Sequence, residues 1–94
     1  MSTLDPAPIV DPADVPPDLI ALEIEHRTET ARVNERRKSE PGTCGYRAYL
    51  LGKRVANHPW LTAYPAGPQR RAARKALRAA ARENAGAGTG QAAR

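Results

Sequence analysis

Apolar residues fall into three stretches, each with helical spacing and each bounded by proline or glycine. The first opens with Leu19, Ile20, Leu22 and Ile24. Proline is tolerated in a helix's first turn, because the early N–H groups have no intrahelical partner. A helix over residues 17–38 is therefore expected to start at Pro17, with Asp18 and Glu23 suiting the positive end of its dipole. Its second half holds only Ala31 and Val33 as apolar residues. A helix that is polar all round has to be exposed and held by charge pairs. The spacings offer Glu23–Arg27 at i,i+4, with Glu29–Arg32 and Glu35–Lys38 at i,i+3. Pro41-Gly42 marks the turn after it.

The second stretch predicts a helix over residues 44–57, with Thr43 as its N-cap. Tyr46, Tyr49 and Leu50 share a face at i, i+3, i+4, and Leu51 and Val55 complete the apolar set. Gly52 either weakens the middle or permits close packing against another helix. Pro59 pushes His58 toward extended geometry and ends the helix. Residues 58–65 (HPWLTAYP) read as a connector whose Trp60, Leu61 and Tyr64 close the core. A third helix over residues 68–84 starts at Gly67-Pro68 and stops at Gly86. Residues 85–94 (AGAGTGQAAR) read as a disordered Gly/Ala tail. Residues 1–15, with prolines at 6, 8 and 12, read as a flexible acidic arm: either disordered, or packed loosely through Ile9 and Val10. The expectation is an all-α three-helix domain over residues 16–84 between that arm and that tail.

At 94 residues one domain is expected, with a thin core. The chain has one Trp, three Tyr and no Phe, and much of its apolar content is alanine. The core candidates are Leu19, Ile20, Leu22, Ile24, Val33, Tyr46, Tyr49, Leu50, Leu51, Val55, Trp60, Leu61, Tyr64 and Leu77. A core of this size often needs a partner or an oligomer. Cys44 is the single cysteine, so no intrachain disulfide forms. His26, Cys44 and His58 match no zinc spacing. Residues 1–10 lack the positive and apolar regions of a secretory signal, and no apolar run approaches membrane-spanning length. A cytoplasmic, reducing setting is the default.

Charge changes the picture most. Residues 1–25 carry six acids and no Lys or Arg. Residues 26–94 hold all 15 basic residues against four acids, a balance of +11. Such asymmetry suggests a surface for a polyanion. An excess of Arg over Lys with abundant Ala is also what a high-GC genome produces. In style alone, this composition and the helix opening VPPDLIAL resemble small accessory proteins of actinobacteria and their phages, which implies no site and no function.

The C-terminal helix carries the sharpest signal. Arg71, Arg74, Lys75, Arg78 and Arg82 fall within an arc of about 100°. Ala73, Ala76, Leu77 and Ala80 lie opposite. Guanidinium groups at this spacing can follow a phosphate backbone. The alternatives are a solvated basic face or a dock for an acidic protein; Leu77 and alanines offer too little to anchor in a membrane surface. Arg36, Arg37 and Lys38, with Arg32 one turn earlier, form a second basic cluster, and with Arg47, Lys53 and Arg54 of the second helix they extend this surface if the helices pack suitably. Two helices joined by residues 39–43 invite a helix-turn-helix reading, but Arg47 alone could read a base from the second helix. The aromatics are expected in the core, with stacking on unpaired bases as the alternative. Cys44 lacks a positioned base, His26 is expected at the surface, and His58 is expected to close a turn. No phosphate loop, metal set or cofactor motif appears, and an enzyme is not expected. The reading is a small non-enzymatic protein that associates with DNA or RNA. An adaptor or inhibitor for an acidic protein partner is the alternative, and self-assembly through the thin core is a third.

Overall fold

The computed structural model describes residues 8–92, whose regular structure is helical, with no strand among them. The helices are α1 (Pro17–Arg37), α2 (Tyr46–Ala56), the one-turn α3 (Pro59–Thr62) and α4 (Pro68–Ala92), preceded by a 3-10 turn at Pro12–Asp14. The three long helices match the expected elements. The short α3 lies inside the stretch expected as a connector.

α1 begins as its prolines dictate. Pro16 is extended (φ −62°, ψ 142°) and Pro17 takes the first helical position, with no side-chain cap. Leu19, Glu23 and Val33 are its buried residues. The polar second half is laced by ion pairs: Glu29–Arg32 at 2.6 Å, Glu35–Lys38 at 3.1 Å, and Arg36–Glu40 at 3.0 Å across its end. Two of these are the expected pairs. Glu23 instead faces His26, at 3.8 Å, and not Arg27.

α2 runs back along α1 as an antiparallel hairpin. Arg37 donates to the Thr43 carbonyl at 3.1 Å, Arg47 reaches Glu25 at 2.9 Å, a Cβ on Gly52 would meet His26, and His58 reaches Asp18 at 2.9 Å. From the turn to His58 the partners on α1 run from Arg37, through the neighbouring Glu25 and His26, to Asp18, so the segments lie side by side over nearly the whole length of α1. That register belongs to an αα-hairpin, not to the steep crossing of a helix-turn-helix.

Two details of α2 depart from expectation. Gly45, not Thr43, occupies the cap position. The Thr43 hydroxyl instead donates to the Glu40 carbonyl at 2.8 Å and closes the Pro41-Gly42 turn. The buried residues of α2 are Ala48, Leu51 and Val55. Tyr46, Tyr49 and Leu50, expected in the core, point to solvent. The shared face they form is real, but α1 covers the other one.

His58 is extended before Pro59, as the proline requires, and its Nδ1 accepts the Trp60 N–H at 3.1 Å. This cap starts α3 and buries Leu61. Gly67 has φ +108°, a value that L side chains rarely adopt. It lets the chain turn into α4 at Pro68. Arg70 ties this corner down by donating to the Tyr64 carbonyl at 2.9 Å.

The core joins Val15, Leu19, Val55, Leu61, Ala73, Ala76, Leu77 and Ala80, with Val10, Ile20, Leu22, Trp60 and Tyr64 packed against it. α1 is the shared element, because α2 and α4 both pack on it while α3 bridges them. Alanines let α4 lie close, at the cost of little area buried per residue.

At the N-terminal flank Val10 packs on the core, as one of the two readings of the arm has it, while Val15 in the core and the length of α4 depart from expectation. The second half of the expected flexible arm is anchored: Val15 is a core residue, Val10 packs on the core, and the Asp11 side chain caps the 3-10 turn through the Ala13 N–H at 2.9 Å. Ile9 remains 91% exposed. Residues 1–7, which include the rest of that arm, lie outside the described residues. At the other end α4 continues past Gly86 to Ala92, where a tail was expected. Glycine costs a helix about 1 kcal/mol against alanine but leaves the backbone N–H in place, unlike proline. Residues 93–94 lie outside the described residues.

Candidate nucleic-acid interface

α4 separates its two chemistries as its periodicity demands. Ala73, Ala76, Leu77, Ala80 and Ala81 are buried. Arg71, Lys75, Arg78 and Arg82 are exposed and Arg74 is half-buried beside them. Steps of four, three and four residues keep the exposed cations in one stripe. From Arg71 to Arg82 the helix rises about 16 Å. DNA advances 3.4 Å per residue of each strand, so the stripe spans about five base pairs.

The electrostatic surroundings of the two expected basic sets differ. Among the described residues no acidic side chain lies within ion-pair distance of the five α4 cations. In the second set Arg32, Arg36, Arg37, Lys38 and Arg47 are engaged, while Lys53 and Arg54 have no acidic partner among the described residues. Arg36 pairs with Glu40, Lys38 with Glu35, and Arg47 with Glu25 at 2.9 Å and Glu29 at 3.8 Å. Arg37 donates to a backbone carbonyl. Glu29 is the hub of the Arg32–Glu29–Arg47 group. The Arg32 hydrogen bond, with the charges of Arg32 and Arg47, holds its carboxyl below the usual range and outweighs burial, which acts the other way. The same bond raises Arg32. Arg47, the one residue of α2 suited to read a base, is thus occupied within the hairpin.

The N-terminal segment meets this face. Pro8, Ile9, Val10 and Pro12 form one wall of a groove of about 480 Å³, and Arg71, Ala72, Lys75 and Ala79 form the other. Packing of this segment through Ile9 and Val10 is one of the two sequence readings of the arm; which helix face receives it is set by the tertiary structure.

The remaining candidates sit apart from the stripe. Cys44 is an exposed thiol in the α1–α2 turn. His26, expected at the surface, is half-buried over Gly52, with its Nδ1 buried and lacking a hydrogen-bond partner. His58 caps α3. No group of three His, Cys, Asp or Glu among the described residues is arranged to hold a metal ion. No helix among them is long and apolar enough to cross a membrane. Compared with known protein families, curated proteins and solved structures, the chain matches none.

Proposed function

We propose that this protein is a small non-enzymatic nucleic-acid-associated factor that grips phosphates through α4. One observation carries the reading. Most cations of α1 and the turn, and Arg47 of α2, are neutralised by nearby carboxylates or held by backbone, whereas Arg71, Arg74, Lys75, Arg78 and Arg82 form one face without an acidic partner among the described residues. Crowding like charges on one helix face is unfavourable for the isolated chain. A polyanion relieves that repulsion, and releases its own counterions on binding. Arginine suits the role, since its planar fork donates to two phosphate oxygens at once. The affinity is for backbone, so DNA and RNA both qualify as partners. The cytoplasm, where a free thiol persists, is the proposed setting.

The test is fluorescence anisotropy with labelled duplex DNA and single-stranded RNA at low and moderate salt. The comparison variant carries Arg71→Gln, Lys75→Gln, Arg78→Gln and Arg82→Gln, all at exposed positions, with its helicity checked by circular dichroism. If about five phosphates are engaged, affinity falls roughly 10²- to 10³-fold between 50 and 200 mM salt, and the variant loses most of its binding at 50 mM. Binding indifferent to these substitutions would remove the proposal. The stripe would then be left to an acidic protein surface.

A further inference from the structure

The stripe on α4 says how a phosphate backbone is held. α2 says what else on the strand is read. Its inward face is filled by Ala48, Leu51 and Val55, and the larger residues of its sequence are displaced outward. Tyr46 is 62% exposed, Tyr49 57% and Leu50 42%. The two rings are nearly parallel, with planes 25° apart and centroids separated by 6.3 Å. Lys53 continues the stripe at i+4 from Tyr49 and holds its ammonium 5.7 Å from that ring's centroid.

We infer that Tyr46 and Tyr49 form a stacking platform for unpaired bases of a single-stranded nucleic acid, with Lys53 and Arg54 receiving the adjoining phosphates. This deepens the nucleic-acid reading above and rests on it. Four properties of the face point to this occupant. The rings are flat and open to solvent, which suits a planar heterocycle of any sequence. α2 contains Arg47, Lys53 and Arg54 but no Asp or Glu. Lys53 and Arg54 have no acidic partner among the described residues, whereas Arg47 is held by Glu25 and Glu29. Finally, a second copy of this chain is a poor fit. A two-fold contact of α2 on α2 would bring the same cationic patch against itself, with no carboxylate on the helix to offset the repulsion. The face calls for something aromatic and anionic, and bases joined by phosphates supply both. In duplex DNA the bases are stacked on each other and unavailable to the rings, so the platform selects single strands.

Anisotropy titrations of the full chain would use three labelled probes: an oligothymidylate, an abasic strand of the same length, and a duplex. The variants are Tyr46→Ala/Tyr49→Ala, Tyr46→Phe/Tyr49→Phe, and the α4 glutamine variant. The expected result is oligothymidylate binding at least about tenfold tighter than the abasic strand, an advantage lost in the alanine variant and kept in the phenylalanine variant. The alanine variant should bind the abasic strand and the duplex as the unmodified protein does. The α4 variant should weaken all three. Equal affinity for base-bearing and abasic strands overturns the platform while leaving the α4 reading intact. So does an alanine variant with undiminished preference, or one that turns a dimer into a monomer in sedimentation. Failure of all three probes to bind overturns both readings together.

Discussion

Nε2 of His58 stands 2.9 Å from Oδ2 of Asp18, closing the open end of the α1–α2 hairpin across 40 residues of sequence. The same ring accepts the Trp60 N–H through Nδ1. Both contacts are satisfied by one tautomer, with the proton on Nε2 donated to Asp18. One side chain therefore caps α3 and ties it to the first turn of α1.

That pairing makes the Asp18 carboxyl a contributor to acid sensitivity. The His58 hydrogen bond is the largest influence holding it below its ordinary 3.8; desolvation opposes this, and the charge of His58 adds to it. A carboxyl lowered on folding stabilises fully above its unfolded value, and that contribution disappears as pH falls through the folded one. Asp18→Asn should melt below the unmodified protein at neutral pH, by a small amount because the group is exposed. The gap should close in acid, below 3.8. Thermal melts followed by circular dichroism across that range check it. A gap that stays constant into acid would show that the charge of Asp18 is not what matters.

Leu50 and Leu51 are neighbours with opposite fates. Leu51 is 4% exposed and Leu50 42%. Leu51→Ala should cost about 2–5 kcal/mol, as buried leucine truncations do. That is a large share of the roughly 5–14 kcal/mol expected for a domain of this length. Leu50→Ala should cost less than about 1 kcal/mol. Urea unfolding of the two variants compares them directly. A reversed order would mean that α2 packs on α1 through its tyrosine face.

Gly52 is where α2 comes closest to His26. A Cβ there would stand 3.0 Å from the His26 Nε2. Replacing a mid-helix glycine by alanine ordinarily gains about 0.5–1 kcal/mol. In this protein the gain should be reduced or reversed, because the ring must move. In a His26→Ala background the full gain should return. A double-mutant cycle of Gly52→Ala and His26→Ala should give a coupling of at least about 0.5 kcal/mol. Strict additivity would show that the ring yields freely.

The groove shared by the N-terminal segment and α4 puts acid near the basic stripe. Asp11 lies within the stretch whose flanking residues face Arg71 and Lys75. Asp11→Asn should tighten duplex binding by roughly two- to fivefold at low salt, the range of an exposed charge pair. The gain should fade as salt shortens the Debye length. Asparagine retains the oxygen that caps the 3-10 turn, so the fold is kept. Truncation is a poorer probe, because a cut after residue 15 would remove Val15 from the core. Unchanged affinity in the variant would show that Asp11 does not compete with the duplex for these cations.

Much of this architecture is local and therefore legible along the chain. Pro17, Pro59 and Pro68 mark helix starts because a missing N–H and a fixed φ act on their own turn. The division of α4 into an alanine face and an arginine face follows from 3.6-residue periodicity alone, and so do the Glu29–Arg32 and Glu35–Lys38 pairs. Composition and charge established that the basic residues lie C-terminal to an acidic start.

Tertiary packing decided the rest. α2 offers two faces to its surroundings, a small one with Ala48, Leu51 and Val55 and a large one with Tyr46, Tyr49 and Leu50. Hydrophobicity favours burying the large face. The close approach at Gly52 and the ties from Glu25 and Asp18 turn the small one inward. Whether Arg47 is free or occupied depends on carboxylates 22 residues away on α1. Whether the N-terminal segment lies near the basic stripe depends on a groove that exists only once α4 is docked. Periodicity assigns each residue to a side of its own helix; which side meets which neighbour is set by how the helices fit together, and that fit is a property of all of them at once.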